Sequence, residues 1–271
     1  MKTRIIAAVA LLPFLLAIVL FLPKIFTAIL FGLMAAIGAY ELLHNTGLVK
    51  SKRVVYSAMG MALLVCLWSS VWAVYPLFLL GILAFFGVFF GQLLLFHDRL
   101  NFQDLAYAIV AGILLPYMLG AIVRIHSFQA GRHLILLPFV IAFLSDTGAY
   151  FVGCAIGKHK LAPVISPKKT VEGLIGGVVT AILGVIIYCL ILKGSFGFQV
   201  DWVYVPVYGL LGSLGAVFGD LCFSVIKRQT GIKDYGNLIP GHGGILDRFD
   251  STVVVAPLVE LLLLTIPMVV K

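Results

Sequence analysis

Apolar runs close to the roughly twenty residues that cross a bilayer recur along the chain at about 4–22, 25–43, 54–74, 76–96, 105–123, 134–154, 171–192, 203–223 and 251–270. The pattern predicts an all-α integral membrane protein, a polytopic bundle of about nine transmembrane helices. Two connections, at Pro23 and Pro76, are short enough to mark a kinked or re-entrant pair instead, which changes the count by about one or two. The basic residues give an independent check. With the N-terminus in the cytoplasm, fourteen of the nineteen Lys and Arg residues fall on the cytoplasmic side, as the positive-inside rule requires. An odd number of spans leaves the C-terminus on the opposite side.

Composition agrees with a membrane body. Hydrophobic residues make up 62% of the 271 positions and charged residues only 11%, well below the quarter typical of soluble domains. The net charge of +8 sits in short tracts between spans, with no long basic face and no nucleic-acid motif, so it reports topology and an anionic substrate or lipid surface. Cys66, Cys154, Cys189 and Cys222 lie in or beside apolar runs, without the spacing of a zinc site or disulfide framework. Lys2 and Arg4 ahead of the first run mimic a signal peptide. No small-residue cleavage site follows, and a retained first helix is expected. Residues 1–75 are expected to form N-terminal transmembrane helices 1–3, 76–130 middle helices 4–5 with a candidate dimer face, and 131–271 C-terminal helices 6–9 with cytoplasmic loops.

Polar residues are concentrated. Of the thirty Lys, Arg, Asp and Glu residues, seven lie within Ser224–Asp250 and six within Ser145–Glu172. Asp220, Ser224 and Lys227 share one helical face by spacings of four and three. An ionised carboxylate in or near hydrocarbon needs a partner, either a ligand or a structural cation such as Lys227 or Arg228. The glycine-rich stretch that follows, QTGIKDYGNLIPGHGG, reads as a loop able to bring backbone N–H groups to a phosphate. Beyond it, Asp247 and Asp250 stand at i, i+3 with Arg248 between them. The two acids suit a divalent cation or the N-terminal dipole of the last helix, and Arg248 suits a phosphate. His242 suits a phosphate contact or a loop hydrogen bond.

In the second cluster, Asp146 lies inside an apolar run with Tyr150 four residues on, a functional candidate that helix–helix hydrogen bonding also explains. Lys168 and Lys169 precede Thr170, a predicted N-cap. Two lysines at a helix N-terminus suit a triphosphate and equally anchor a cytoplasmic boundary. Glu172, in the first turn, reads as a dipole-favoured acid or as a metal or lysine partner. Glu260 has no assigned role. The GCAIGKHK stretch lacks the spacing of a P-loop, and no GxSxG or zinc motif occurs. Gly87 and Gly91, and Gly209, Gly212, Gly215 and Gly219, allow close helix approach within the bundle or in a homodimer.

The run SVIKRQTGIKDYGNLIPGHGGILDRFD, 27 residues from Ser224 to Asp250, resembles the signature of phosphatidate cytidylyltransferases, also called CDP-diglyceride synthases. Every fixed position of that signature is filled. SDTGAY and SPKKTVEG resemble the family's other polar motifs, while the first 130 residues resemble it only in hydropathy. The resemblance implies transfer of a cytidylyl group from CTP to phosphatidate, giving CDP-diacylglycerol and pyrophosphate, with Mg²⁺ required and K⁺ assisting. It implies a bacterial inner-membrane enzyme whose site faces the cytoplasm. A lipid phosphate is already ionised near neutral pH, so positioning and charge neutralisation carry such a reaction.

On that resemblance, Asp220 and Asp247 would bind Mg²⁺ with Asp146 and Asp250 supporting. Lys168, Lys169, Lys227, Arg228, Lys233 and Arg248 would hold the triphosphate and lipid headgroup, with Thr170, Ser224 and His242 contributing contacts. Two other readings stand beside it. One is a related CTP transferase acting on an ether-lipid phosphate. The other is a transporter, against which the one-sided polar residues and the lack of an evident repeat both argue.

Overall fold

The computed structural model describes residues 13–71, 75–96, 100–238 and 243–270. Lys2, Arg4, Arg99, His242 and Lys271, and about half of the first apolar run, lie outside them. Helix dominates. Among the described residues the only sheet is two short antiparallel ribbons, Lys160–Ala162 with Ser166–Thr170 and Gln199–Val200 with Val269–Val270.

Five helices are long and apolar enough to cross a membrane: Lys24–Asn45, Phe102–His126, Gly131–Ile156, Val171–Phe196 and Val205–Gln229. Each covers an apolar run read from the sequence. Lys52–Trp68, Tyr75–Leu95 and Leu246–Thr265 are helical over three more, and residues 13–21 are helical within the first. The chain is an all-α, multi-pass membrane protein.

Helix Val171–Phe196 shows how sequence becomes a membrane face. Ile175, Val179, Leu183, Ile187 and Ile191 recur every fourth residue, and each is at least half exposed, forming the stripe a lipid-facing helix presents. Its opposite face is small: Gly173, Gly177, Ala181 and Gly184 are buried. A Cβ on Gly177 would stand 2.7 Å from the Ser145 carbonyl oxygen, and one on Gly173 2.8 Å from that of Ala149. Only glycine lets this helix lie so close to Leu137–Ile156.

The chain divides into two compact units, one of residues up to Arg124 with Gln229–Arg248, the other of Ile125–Arg228 with Phe249–Lys271. In the first, Lys24–Tyr40 packs on Lys52–Trp68 through Gly32, and a Cβ on Gly112 would stand 3.0 Å from the Ala58 carbonyl oxygen. Lys24–Tyr40 continues into a π-helical turn, Glu41–Asn45. Arg124 is buried. It donates to the Tyr117 carbonyl at 2.9 Å and to Ser69 Oγ at 3.3 Å, and lies over the Tyr117 ring.

In the second unit the glycine stripe of Val205–Gln229 faces inward. A Cβ on Gly209 would meet Ile182 Cα at 2.5 Å, one on Gly212 Ile141 Cγ2 at 2.7 Å, and one on Gly219 the Asp250 carbonyl at 2.6 Å. That stripe serves packing within the chain. A Cβ on Gly87 or Gly91 would meet nothing within 4 Å among the described residues.

Candidate active site

The close packing of Val205–Gln229 sets the position of Asp220, in its C-terminal half, inside the second unit. Asp220 Oδ2 pairs with Lys169 Nζ, and Oδ1 accepts the Ser224 hydroxyl at 3.3 Å. The sequence offered Lys227 or Arg228 as a structural partner for this acid. The observed cation comes instead from the strand Ser166–Thr170.

Pro163 fixes φ in the turn 163–165 that joins the two strands of this ribbon. The strand ends where Thr170 caps the next helix, its hydroxyl accepting the Gly173 N–H at 3.1 Å, as the sequence predicted. Glu172 is occupied locally. Its carboxylate accepts the N–H groups of Lys158 and His159 and pairs with His159 Nδ1 at 2.6 Å, so it holds the ribbon's entry.

A cavity of about 320 Å³ opens against this ribbon, lined by Asp146, Tyr150, Ser166, Lys168, Lys169, Thr170, Val217 and Asp220 among others. Lys168 is exposed, Lys169 half-buried. Asp146 is exposed toward the cavity, and its Oδ2 lies 3.5 Å from Ser251 Oγ. Asp250 lies within electrostatic reach of Asp220, Lys227 and Asp146, and Lys227 is buried. Arg228 donates from Nε to the Ile165 carbonyl at 3.3 Å, tying the helix end to the ribbon's turn. Ser145, next to Asp146, shares a buried hydrogen bond of 2.7 Å with Ser213.

Two acids and two lysines around one cavity make a mixed-sign site. Lysines there suit phosphate oxygens as compact charges. The carboxylates supply oxygen ligands to a hard cation. Among the described residues no three His, Cys, Asp or Glu side chains converge as a closed metal cluster.

Asp247 belongs to the first unit and has different surroundings. It is buried, and its Oδ2 accepts the N–H groups of Tyr235 at 2.7 Å and Gly244 at 3.0 Å. This is the helix-entry role that the sequence left open beside metal binding. Arg248 and Lys233 are exposed. His242 lies outside the described residues.

Glu41, to which the sequence gave no role, is 2% exposed, and its two oxygens accept the N–H groups of Ile245 at 3.0 Å and Leu246 at 2.8 Å. The signal was present: an acid inside an apolar run, the same criterion that singled out Asp146.

Relatedness points the same way as the site. Residues 2–266 match the family model described as the cytidylyltransferase family. A phosphatidate cytidylyltransferase of Staphylococcus saprophyticus is 34% identical over 98% of this chain and 100% of its own length. Those of Staphylococcus haemolyticus and Staphylococcus aureus strain COL are 35% and 36% identical over 97% of this chain and 99% of theirs. The chain belongs to the cytidylyltransferase family.

Proposed function

We propose that this protein is a CTP:phosphatidate cytidylyltransferase that makes CDP-diacylglycerol for phospholipid synthesis. A phosphate oxygen of phosphatidate attacks the α-phosphorus of CTP. The bond from that phosphorus to the oxygen bridging the β-phosphate breaks, and pyrophosphate leaves. The observation that carries the reading is the Asp220–Lys169 pair within the cavity, in a chain of this family. Lys169 and Lys168 would take triphosphate oxygens, and Thr170, Ser224, Lys227 and Arg228 would fix the headgroup and its surroundings. Lys233, His242 and Arg248 are proposed phosphate contacts from the signature.

The donor set fits Mg²⁺, which is commonly held by one or two carboxylates plus substrate phosphates and needs no three-ligand protein cage. Asp220 and Asp146 would hold it with Asp250 in support, and Asp247 is a further proposed ligand. When bound, the ion would neutralise charge on the CTP phosphates. K⁺ is proposed as an accessory cation. Around this site we propose nine spans with the N-terminus and the site on the cytoplasmic side of a bacterial inner membrane. A homodimer through the open face of Tyr75–Leu95 is part of the same reading.

Incubating purified protein with radiolabelled CTP, Mg²⁺ and either phosphatidate or an ether-linked analogue tests it directly. Label should pass into the organic phase with phosphatidate. No lipid-linked label under any lipid or cation would sink the proposal.

A further inference from the structure

Four main-chain N–H groups on the two flanks of the signature loop end on two buried carboxylates. Asp247 takes those of Tyr235 and Gly244. Glu41 takes those of Ile245 and Leu246. Asn45, four residues after Glu41, adds a third grip, its side-chain amide donating to the Tyr235 carbonyl at 2.7 Å. All of these residues lie in one compact unit.

The local backbone explains why Glu41 and Asn45 reach the same segment. They are the first and last residues of the π-helical turn Glu41–Asn45, and a π-turn re-aims side chains at the end of an otherwise regular helix. The loop is shaped to receive the acid. A Cβ on Gly244 would stand 2.5 Å from both Glu41 oxygens, and one on Gly236 2.7 Å from Oε1. Hydrogen bonds from main-chain N–H to a carboxylate are charge-assisted and short, and a buried carboxylate persists when such donors surround it.

We propose that Glu41, assisted by Asn45, is a positioning residue for the reaction. It touches no substrate. It fixes the peptides immediately before Asp247 and Arg248, so that this acid and arginine of the signature are presented in one geometry. An N-terminal span, which carries none of the signature, thereby holds the signature loop. The consequence for turnover rests on the cytidylyltransferase reading, whereas the hold on the loop does not.

Glu41→Gln keeps the volume but sets an amide donor against a main-chain N–H, so one of the two bonds is lost. The test compares wild type, Glu41→Gln and Asn45→Ala for hydrogen exchange in peptides covering Gly243–Arg248, for kcat and KM with CTP and phosphatidate, and for thermal unfolding. In Glu41→Gln, exchange should quicken by about tenfold, as for loss of one strong local bond. kcat should fall by about tenfold or more at temperatures well below the unfolding transition, since misplacement of a supporting group is felt chiefly in the rate. Asn45→Ala should move both readouts in the same direction and less. Unchanged exchange, or faster exchange with full kcat, overturns the proposal. A fall in kcat that merely tracks a lower unfolding temperature also overturns it, because a purely structural residue behaves that way. If wild type transfers no label to lipid, the reaction reading fails and the role in turnover fails with it, while the exchange comparison still decides whether Glu41 holds the loop.

Discussion

Two buried or half-buried acids, Asp220 and Asp247, look equivalent in sequence and are not equivalent in the folded chain. Asp220 meets the Lys169 ammonium and the Ser224 hydroxyl at the wall of a cavity. Asp247 meets the main-chain N–H groups of Tyr235 and Gly244. A side-chain cation at a cavity can exchange a carboxylate for a phosphate when a nucleotide arrives. Backbone N–H groups are held by the fold and have no such freedom. The partner, rather than the acid, distinguishes the two: a side-chain cation at a cavity for Asp220, the loop's own backbone for Asp247.

The largest effect should come from Asp220. Asp220→Asn removes the charge from the cavity wall and keeps the shape, and it should lower cytidylyl transfer by about a hundredfold to a thousandfold, the scale for losing one electrostatic group at a reacting phosphate. Thermal unfolding should change little, because the pair is partly solvated and worth little to stability. Near-wild-type turnover with unaltered Mg²⁺ dependence would remove Asp220 from the site.

Asp247 offers a way to break the comparison. Asp247→Ala strands two main-chain N–H groups, at roughly 1–3 kcal/mol for each buried group left unsatisfied. It should loosen the loop in hydrogen exchange and cut turnover by about tenfold to a hundredfold. Asp247→Asn can keep its remaining oxygen toward both N–H groups, so the loop should hold. If Asp247→Asn abolishes transfer while exchange stays protected, Asp247 acts on ligand as well, and the contrast with Asp220 is one of degree.

Much of this was legible before the fold was seen, and the limits have a physical cause. The apolar runs, the Thr170 cap and the close-packing glycines from Gly209 to Gly219 are local or periodic signals, written into neighbouring residues. The pairing of Lys169 with Asp220 is not local. It depends on a β-ribbon whose strands, KLA and SPKKT, show no apolar alternation, so that nothing in their pattern announces a strand. Glu41 was a different failure. Its signal was the one used for Asp146, but its partners are backbone N–H groups some two hundred positions away, which no side-chain motif can display. The two GxxxG-like sets show the same limit. A Cβ on Gly215 or Gly219 would meet neighbouring side chains or backbone, and one on Gly87 or Gly91 nothing among the described residues, although the local pattern is alike.

The smallest effects should separate the two lysines of the ribbon. Both line the cavity, and successive strand residues point to opposite faces, so they cannot address one phosphate in the same way. Lys169 pairs with Asp220 and is half-buried, with 23% of its side chain exposed, whereas Lys168 is exposed. A charge in a partly desolvated site acts through a lower effective dielectric than one in water. Lys169→Met should therefore raise KM for CTP by about tenfold, the loss of one charge-assisted phosphate contact. Lys168→Met should raise it only about twofold to threefold, with an effect that fades as salt rises, since exposed charges are screened within a Debye length of roughly 8 Å. Measuring KM for CTP at low and high ionic strength for both variants checks the pair. Equal, equally salt-sensitive losses would mean that the ion pair with Asp220 confers no distinction, and that the lysines serve as a diffuse basic surface rather than as one placed contact and one steering charge.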